Sequence, residues 1–367
     1  MSPTATRRTF LAQSASAAAG ATLAACGGGD KPPETAAAPK PWWTPKVSEN
    51  IGNLDEDTLV WMAQLGLEWV VLQGTDWVDR DGKGYWTTDD IRPLGERCRA
   101  KGLELYSLMI PIDWLKGPML GREDAARSIA NIQRSIAAAA EAGVRMIEWR
   151  WSPDLNFSGD TGYYNVEGRG GAIYKAFDYS RVADAPPLPD IGPIARQTLW
   201  ERLLGFAEQV VPTAEKAGVA MSLHPKDPPV KSMRGIDRLM TNTEEILAFL
   251  DAVDSPANNF TFCQGTVTEM GVDVIDAIRR IGGRGRIQHV HFRAVRGKVP
   301  RYVETFIDEG DVDMLAAMHA FKEVNYQGSL VSDHTPRVGG DFAGGRIGRT
   351  FSHGYIRGLI QAVNREG

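Results

Sequence analysis

Apolar runs of strand length alternate with segments of helical spacing along most of this 367-residue chain. Such alternation is typical of a parallel α/β sheet or barrel. The runs assigned to strands lie near 42–47 and at 67–73, 103–110, 144–151, 219–225, 258–265, 287–295 and 328–334. The helical segments lie around Leu59, at 87–101, 122–141 and 198–217, from a capping box at Thr241–Glu244 onward, and at 271–282, 312–325 and 349–363. Eight β/α units predict a single (β/α)8 barrel, the TIM-barrel fold.

The N-terminal segment has the pattern of an export signal. Residues 1–26 hold the pair Arg7-Arg8, a stretch rich in small residues and the ending Leu-Ala-Ala-Cys at Cys26. This resembles a twin-arginine signal with a lipobox, which would make Cys26 the lipidated first residue of an exported, periplasmic protein. An amphipathic leader or a cytoplasmic tail is the alternative. We expect a membrane association through the lipid alone.

Domain boundaries follow from this division. Residues 27–45 are rich in Gly, Pro and Ala and indicate a flexible linker, and 46–367 form the barrel domain. A polar, Gly-rich insertion at about 152–190 is expected to be irregular and to cap or line the site.

Charge and cysteine content narrow the functional classes. The net charge is -5, and no Lys/Arg run is interleaved with aromatic residues, so a nucleic-acid partner is not expected. Cys26, Cys98 and Cys263 are too scattered for a disulfide framework. Cys98 is interpreted as a small buried hydrophobe. A homo-oligomer is expected because barrels commonly bury their outer faces against one another.

Four residues of metal-ligand type fall at the ends of the last four predicted strands: His224, Cys263, His291 and Asp333. All strand C-termini of a (β/α)8 barrel meet on one face, so these residues are expected to converge there. Each alone is weak evidence, since single histidines and buried cysteines are commonly structural. Together they form a mixed N, S and O set suited to a divalent transition metal.

Neighbouring residues offer further roles, each with a structural alternative. His334, beside Asp333, could move a proton, or it could be a loop histidine. Arg293 could clamp a carboxylate, or it could form an internal ion pair. Lys226 and Asp227 are either substrate contacts or solvated loop charges.

Glu148 and Arg150 share one face of the fourth predicted strand, and for these two we expect an internal ion pair.

Several motifs over residues 50–365 resemble the mannonate dehydratase family. They are MIPIDWLKGPMLGRE (109–123), Ala-Phe-Asp (176–178), HPKDPP (224–229), DAVDSPANNFTFCQG (251–265), HVHFRAV (289–295), GDVDMLAAM (310–318) and SDH (332–334). The resemblance implies a xylose-isomerase-like barrel that dehydrates D-mannonate to 2-keto-3-deoxy-D-gluconate with a divalent metal, usually manganese.

Carried onto this chain, the resemblance makes His224, Cys263, His291 and Asp333 the metal ligands and His334 an acid/base residue. A thiolate ligand by itself favours zinc or iron over manganese.

The sequence also departs from the family. The family's Gly-Tyr-Gly segment after the Asp-His pair has no counterpart, because no tyrosine occurs between His334 and Tyr355. Ile307 stands where the family's Glu-x-x-His motif, here starting at Glu304, has histidine. Two alternatives to a sugar-acid dehydratase therefore stay open: an isomerase, epimerase or lyase acting on a modified sugar, and a non-catalytic sugar-binding lipoprotein.

Overall fold

Eight parallel strands close into a barrel in the computed structural model, which describes residues 42–74, 78–79, 81–154, 160–341 and 345–366. The described residues form fourteen strands, eight of them in the barrel and six outside it: β1 (Lys46–Ile51), β2 (Trp69–Leu72), β3 (Glu104–Met109), β4 (Met146–Arg150), β5 (Tyr163–Glu167), β6 (Ile173–Asp178), β7 (Ala220–His224), β8 (Ser232–Met233), β9 (Ile236–Asp237), β10 (Asn258–Cys263), β11 (Ile287–His291), β12 (Val295–Lys298), β13 (Arg301–Glu304) and β14 (Ser329–Val331). The closed barrel has the order β1-β14-β11-β10-β7-β4-β3-β2. The predicted barrel is confirmed.

The helices follow the strands in the alternation that the sequence predicts. They are α1 (Glu56–Gln64), α2 (Thr88–Arg99), α3 (Ile112–Leu120), α4 (Ala125–Glu141), α5 (Arg196–Ala217), α6 (Thr243–Ala252), α7 (Gln264–Met270), α8 (Val274–Gly282), α9 (Met314–Glu323) and α10 (Arg346–Glu366). Local chemistry sets several ends: Thr87 and Asp90 form a capping box before α2, and Gly218 ends α5 at a φ of 71°.

The two ends of the barrel interior differ in chemistry. At the N-terminal end, Trp69 and Tyr106 stack with their ring centroids 4.1 Å apart and pack with Val71 and Met146. Toward the C-terminal end the strands bury histidine, cysteine and carboxylate side chains instead. The apolar N-terminal end contributes to the stability of the barrel, and the polar C-terminal end is where the active site of such a barrel lies.

The insertion is more ordered than expected. Strands β5 and β6 form a hairpin, and β6 pairs antiparallel with β13, which pairs with β12. The expectation of an irregular segment is therefore wrong for residues 163–178. Phe177 of this sheet packs against Tyr302 with ring centroids 5.2 Å apart, so the hairpin has its own small apolar core.

Several predicted boundaries are also wrong. The first strand starts at Lys46 rather than near Trp42, α3 is an additional helix, and the strand after α8 ends at His291. The predicted helix 271–282 corresponds to α8, which starts at Val274, and an additional helix, α7, precedes it and ends before Gly271, whose φ is 75°. The N-cap of α6 is Asn242, one residue after the predicted N-cap Thr241, and its side chain accepts from the N–H of Glu245.

The export signal (1–26), Cys26 and residues 27–41 of the linker lie outside the described residues. Within the described ranges, no helix has the length and hydropathy needed to cross a membrane.

Candidate active site

Three ligand-type side chains meet at the C-terminal end of the barrel because each ends a strand: His224 ends β7, Cys263 ends β10 and His291 ends β11. Their ligand atoms lie within 4.8 Å of one another, and Nε2 of His224 is 3.1 Å from Nδ1 of His291. Nδ1 of His224 donates to the carbonyl of Pro225 at 2.5 Å, which leaves the Nε2 lone pair directed toward the cluster.

Asp333 completes the group from the loop after β14. Its Oδ2 lies 3.2 Å from Nδ1 of His291, and its backbone has a φ of 52°. This left-handed conformation is uncommon outside glycine and here aims the carboxylate at the cluster. The structure thus brings all four predicted ligands together.

The donor set suits a divalent metal. Two imidazoles, one thiol and one carboxylate, all largely buried, are a common N, S and O combination for transition metals. Their role as ligands stays a prediction, which their convergence supports.

The electrostatics of the cluster follow from burial and close charges. Burial, Arg150 and His291 lower the pKa of His224 well below its usual value, so this ring is neutral and ready to coordinate. Although burial alone would lower the pKa of His291, Asp333 and Cys263 raise it to about 10.

Arg293 lies beside the cluster and is 1% exposed. Its guanidinium is 2.9 Å from Asp227, 3.0 Å from Glu269 and 3.1 Å from Asp333. The structure therefore shows the internal ion pairs that were one of the two alternatives, and the predicted substrate contact stays a prediction. Burial raises the pKa of Glu269 well above its usual value, and the negative charge of Asp227 raises it further. Arg293 lowers this pKa but does not offset the two other effects.

Lys226 and Asp227 are not solvated loop charges. Nζ of Lys226 lies 3.9 Å from Asp154, and burial lowers the pKa of this lysine to about 8. Asp227 accepts a hydrogen bond from Thr266 as well as from Arg293. Arg293 connects Asp227 to Asp333 of the cluster, and contact of Lys226 or Asp227 with substrate stays a prediction.

His334 lies at the edge of the cluster with its side chain 38% exposed. Its Nδ1 is 3.0 Å from Glu304, and its Nε2 is 3.9 Å from Oδ1 of Asp333. Burial alone would raise the pKa of Glu304, but His334, Arg293 and Lys175 lower it to about 2. Glu304 is therefore a carboxylate that holds the ring of His334 from the side opposite Asp333.

A cavity of about 340 Å³ opens beside His334. Its lining includes Glu304, Lys175 of the inserted hairpin, and Thr335 and Arg337 of the loop after β14. The insertion thus lines the space next to His334.

Sequence reasoning missed Asn50 and His289. Asn50 Nδ2 lies 3.1 Å from Nε2 of His291, and Oδ1 lies 3.3 Å from Nε2 of His289. Glu148, His289 and His291 form a second group whose ligand atoms lie within 4.8 Å of one another. The spacing His-x-His on one strand, which puts both rings on one face, was an available signal for His289.

The predicted ion pair between Glu148 and Arg150 is confirmed, with a separation of 3.5 Å.

Comparison with known proteins assigns the family. A mannonate dehydratase of Streptococcus equi subsp. zooepidemicus (strain MGCS10565) is 30% identical over 310 residues, 76% of this chain and 84% of that protein. The chain belongs to the mannonate dehydratase family. The family model described as D-mannonate dehydratase (UxuA) matches residues 187–367.

Solved structures agree with the mannonate dehydratase assignment. The crystal structure of mannonate dehydratase from Streptococcus suis serotype 2 has a TM-score of 0.77 and 27% identity, covering 88% of this chain and 94% of that one. An L-ribulose 3-epimerase structure has a TM-score of 0.56 at 16% identity, covering 88% and 97%, and supports the fold alone. The predicted family, xylose-isomerase-like fold and class of enzyme, a carbon–oxygen lyase, are confirmed. The mannonate dehydratase family is metal-dependent, in agreement with the predicted divalent metal.

Replacing the cluster's thiol tests its role directly. Cys263→Ser is expected to weaken metal binding at least about 100-fold, since even loss of an outer partner costs about 10–100-fold. Cys98→Ser is the matched control, because Cys98 is equally buried but lies in α2. Metal content of both proteins after dialysis, measured by elemental analysis, checks the expectation. Equal retention of metal would contradict it.

The ion pair of Asp154 with Arg238, at 2.6 and 2.7 Å, gives a pH-dependent prediction. Although burial alone would raise it, Lys226 and Arg238 lower the pKa of Asp154 from 3.8 to about 2. Because the folded pKa is the lower one, the pair stabilises fully above the unfolded value and its contribution of about 2 kcal/mol is lost as pH falls toward about 2.

Urea unfolding of the native protein and Asp154→Asn measures this contribution. The difference in free energy of unfolding should be constant from about pH 7 to 5 and shrink below about pH 4. Asp113→Asn, an exposed position, is the control and should show little difference. A difference for Asp154→Asn that stays constant into acid would refute the linkage.

Proposed function

We propose that this protein is a sugar-acid dehydratase that converts D-mannonate, or a closely related aldonate, into a 2-keto-3-deoxy acid. The observation that supports this most is the position of His334, between the ligand cluster and an open cavity, in a member of the mannonate dehydratase family. Neither a buried structural metal nor a simple binding site requires a half-exposed histidine held by a buried carboxylate.

A divalent metal held by His224, Cys263, His291 and Asp333 would polarise substrate oxygens, which makes the weakly acidic hydrogen next to a carboxylate easier to remove. We propose manganese from the family resemblance. The thiol of Cys263 also suits zinc or iron, so elemental analysis of purified protein is the test.

His334 is the proposed acid/base residue. Its Nε2 takes the proton from C2, the C2–H electron pair forms the C2–C3 double bond, and the C3–O bond breaks. The 3-hydroxyl leaves as water by taking that proton back from Nε2, and the resulting enol becomes the 2-keto acid as its hydroxyl proton moves to C3. The carboxylate of Glu304 lies 3.0 Å from Nδ1, and its negative charge favours a proton on that nitrogen, so that Nε2 can accept.

A second candidate is an isomerase or epimerase acting on a modified sugar. It is favoured by the absence of tyrosine between His334 and Tyr355 and by the buried Ile307 in place of the family's histidine. NMR of the products from a panel of sugars and sugar acids separates the candidates, because only dehydration yields a 2-keto-3-deoxy acid. Tight sugar binding without turnover by metal-loaded protein would instead support the binding lipoprotein.

Removal of the proposed base gives the main functional prediction. His334→Asn should lower kcat by at least about 100-fold, the lower range of general acid/base contributions, while metal content is kept. His319→Asn is the matched control, since His319 is exposed on α9 and pairs with Glu366. Turnover of D-mannonate followed by keto-acid formation is the measurement. Full activity in His334→Asn would exclude this residue from catalysis.

We also propose that the protein is exported through the twin-arginine route and held at a membrane by a lipid on Cys26. The proposal is supported by Arg7-Arg8 and the sequence before Cys26. Full-length protein should fractionate with membranes, and Cys26→Ser should shift it to the soluble periplasmic fraction, because one lipidation site is lost. An unchanged distribution would reject the anchor. Protein found only in the cytoplasm would reject the export.

A further inference from the structure

The cavity beside His334 carries an excess of positive charge that the dehydration of a simple aldonate does not use. Lys175, Arg337 and Arg349 line it, and among its described lining residues Glu304 is the only acidic one. Arg349 is bound to Glu49 of β1, and Glu304 is in contact with His334. The charges to be explained are therefore those of Lys175 and Arg337.

Arg337 is the less satisfied of the two. Its side chain forms no hydrogen bond or ion pair with any residue in the ranges that the structure describes. Lys175 lies 3.4 Å from Glu304, which it shares with His334, and its side chain is 43% exposed. Both cations thus keep donor capacity for a ligand in the cavity.

The backbone segments that carry these two exposed side chains are joined to each other. Ile173 and Arg337 exchange two hydrogen bonds, at 3.0 and 2.9 Å, which join the hairpin to the loop after β14. Lys175 is paired in register with Glu304 across β6 and β13, and its Nζ lies over the Tyr163 ring at 4.1 Å. Because their backbone segments are joined, the two cations lie on one side of the cavity and can approach the same anion.

The reaction determines which end of the substrate reaches this cavity. The carbon that loses its proton is bonded to a carboxylate, so that end lies toward the ligand cluster, with His334 beside it. An extended six-carbon chain is roughly 6 Å long, since C–C bonds are near 1.5 Å. The other end therefore extends past His334 into the cavity that Lys175 and Arg337 line.

We propose that the preferred substrate carries a second anionic group at the end remote from the reacting carbons, and that Arg337, assisted by Lys175, binds it. A guanidinium matches the two oxygens of a carboxylate or phosphate, whereas the neutral hydroxymethyl end of an aldonate offers it no charge. The substrate class is thus a sugar diacid or an aldonate with a terminal phosphate. The inference rests on the proposed dehydration for the orientation of the substrate.

The test compares three substrates with full-length, metal-loaded protein: D-mannonate, D-mannarate and D-mannonate 6-phosphate. kcat/KM should be at least about tenfold higher for one of the two doubly anionic acids than for D-mannonate. Which of them is preferred distinguishes a carboxylate from a phosphate. A preference for D-mannonate, or no preference, would overturn the proposal.

Two variants locate the preference. Arg337→Gln should raise KM for the doubly anionic substrate with little change in kcat and bring the ratio of specificity constants close to one, and Lys175→Gln should do so more weakly. Lys298→Gln is the control, because this exposed lysine is on β12 of the same sheet but does not line the cavity. A preference that survives in Arg337→Gln would overturn the assignment.

A binding measurement separates failure of this inference from failure of the proposed function. If no acid is dehydrated, the dehydratase proposal fails, and calorimetric titration of D-mannarate and D-mannonate 6-phosphate into native protein and Arg337→Gln then decides the anion site. Tighter binding of either to native protein would support the site. If native protein and Arg337→Gln bind each of the two ligands with equal affinity, or if native protein binds neither, the anion site is overturned.

Discussion

One buried guanidinium organises the charged end of this barrel. Arg293 is in contact with Asp227 after β7, Glu269 of α7 and Asp333 after β14. Three acidic groups close together in a buried region repel one another, and removing one partner of such a pair typically costs about 3–5 kcal/mol. Arg293 therefore allows an acidic ligand-type residue and two further acidic groups to occupy one side of the same site.

The space for Arg293 depends on a glycine. A Cβ at Gly265 would lie 2.2 Å from a guanidinium nitrogen of Arg293, too close for any side chain. Gly265 directly follows the Cys263-Gln264 pair at the start of α7. The sequence Cys-Gln-Gly thus combines a ligand-type thiol with the gap that admits its neighbouring cation.

The sequence predicted the four-residue cluster because each residue lies at or just after the end of a barrel strand. It did not reveal Asn50, because the polar residues of β1 obscure the apolar pattern of that strand. The first strand was therefore predicted too early, at the tryptophans that precede β1. Trp42, in that earlier run, is 56% exposed. Nor did it reveal the four-stranded sheet, in which Phe177 opposes Tyr302. Pairing between segments so far apart in sequence leaves no local pattern.

The backbone connection between Ile173 and Arg337 has a consequence for how this protein could diversify. Main-chain hydrogen bonds hold the hairpin beside the site, so the side chains along β6 are free to change without loss of that connection. Three of the four metal-ligand candidates lie at the ends of other barrel strands, whereas Asp333 shares the loop after β14 with His334 and Arg337. The proposed contribution of Lys175 to selectivity is thus encoded apart from the bond-breaking chemistry, and β6 can drift under selection while the ligand-type residues are retained.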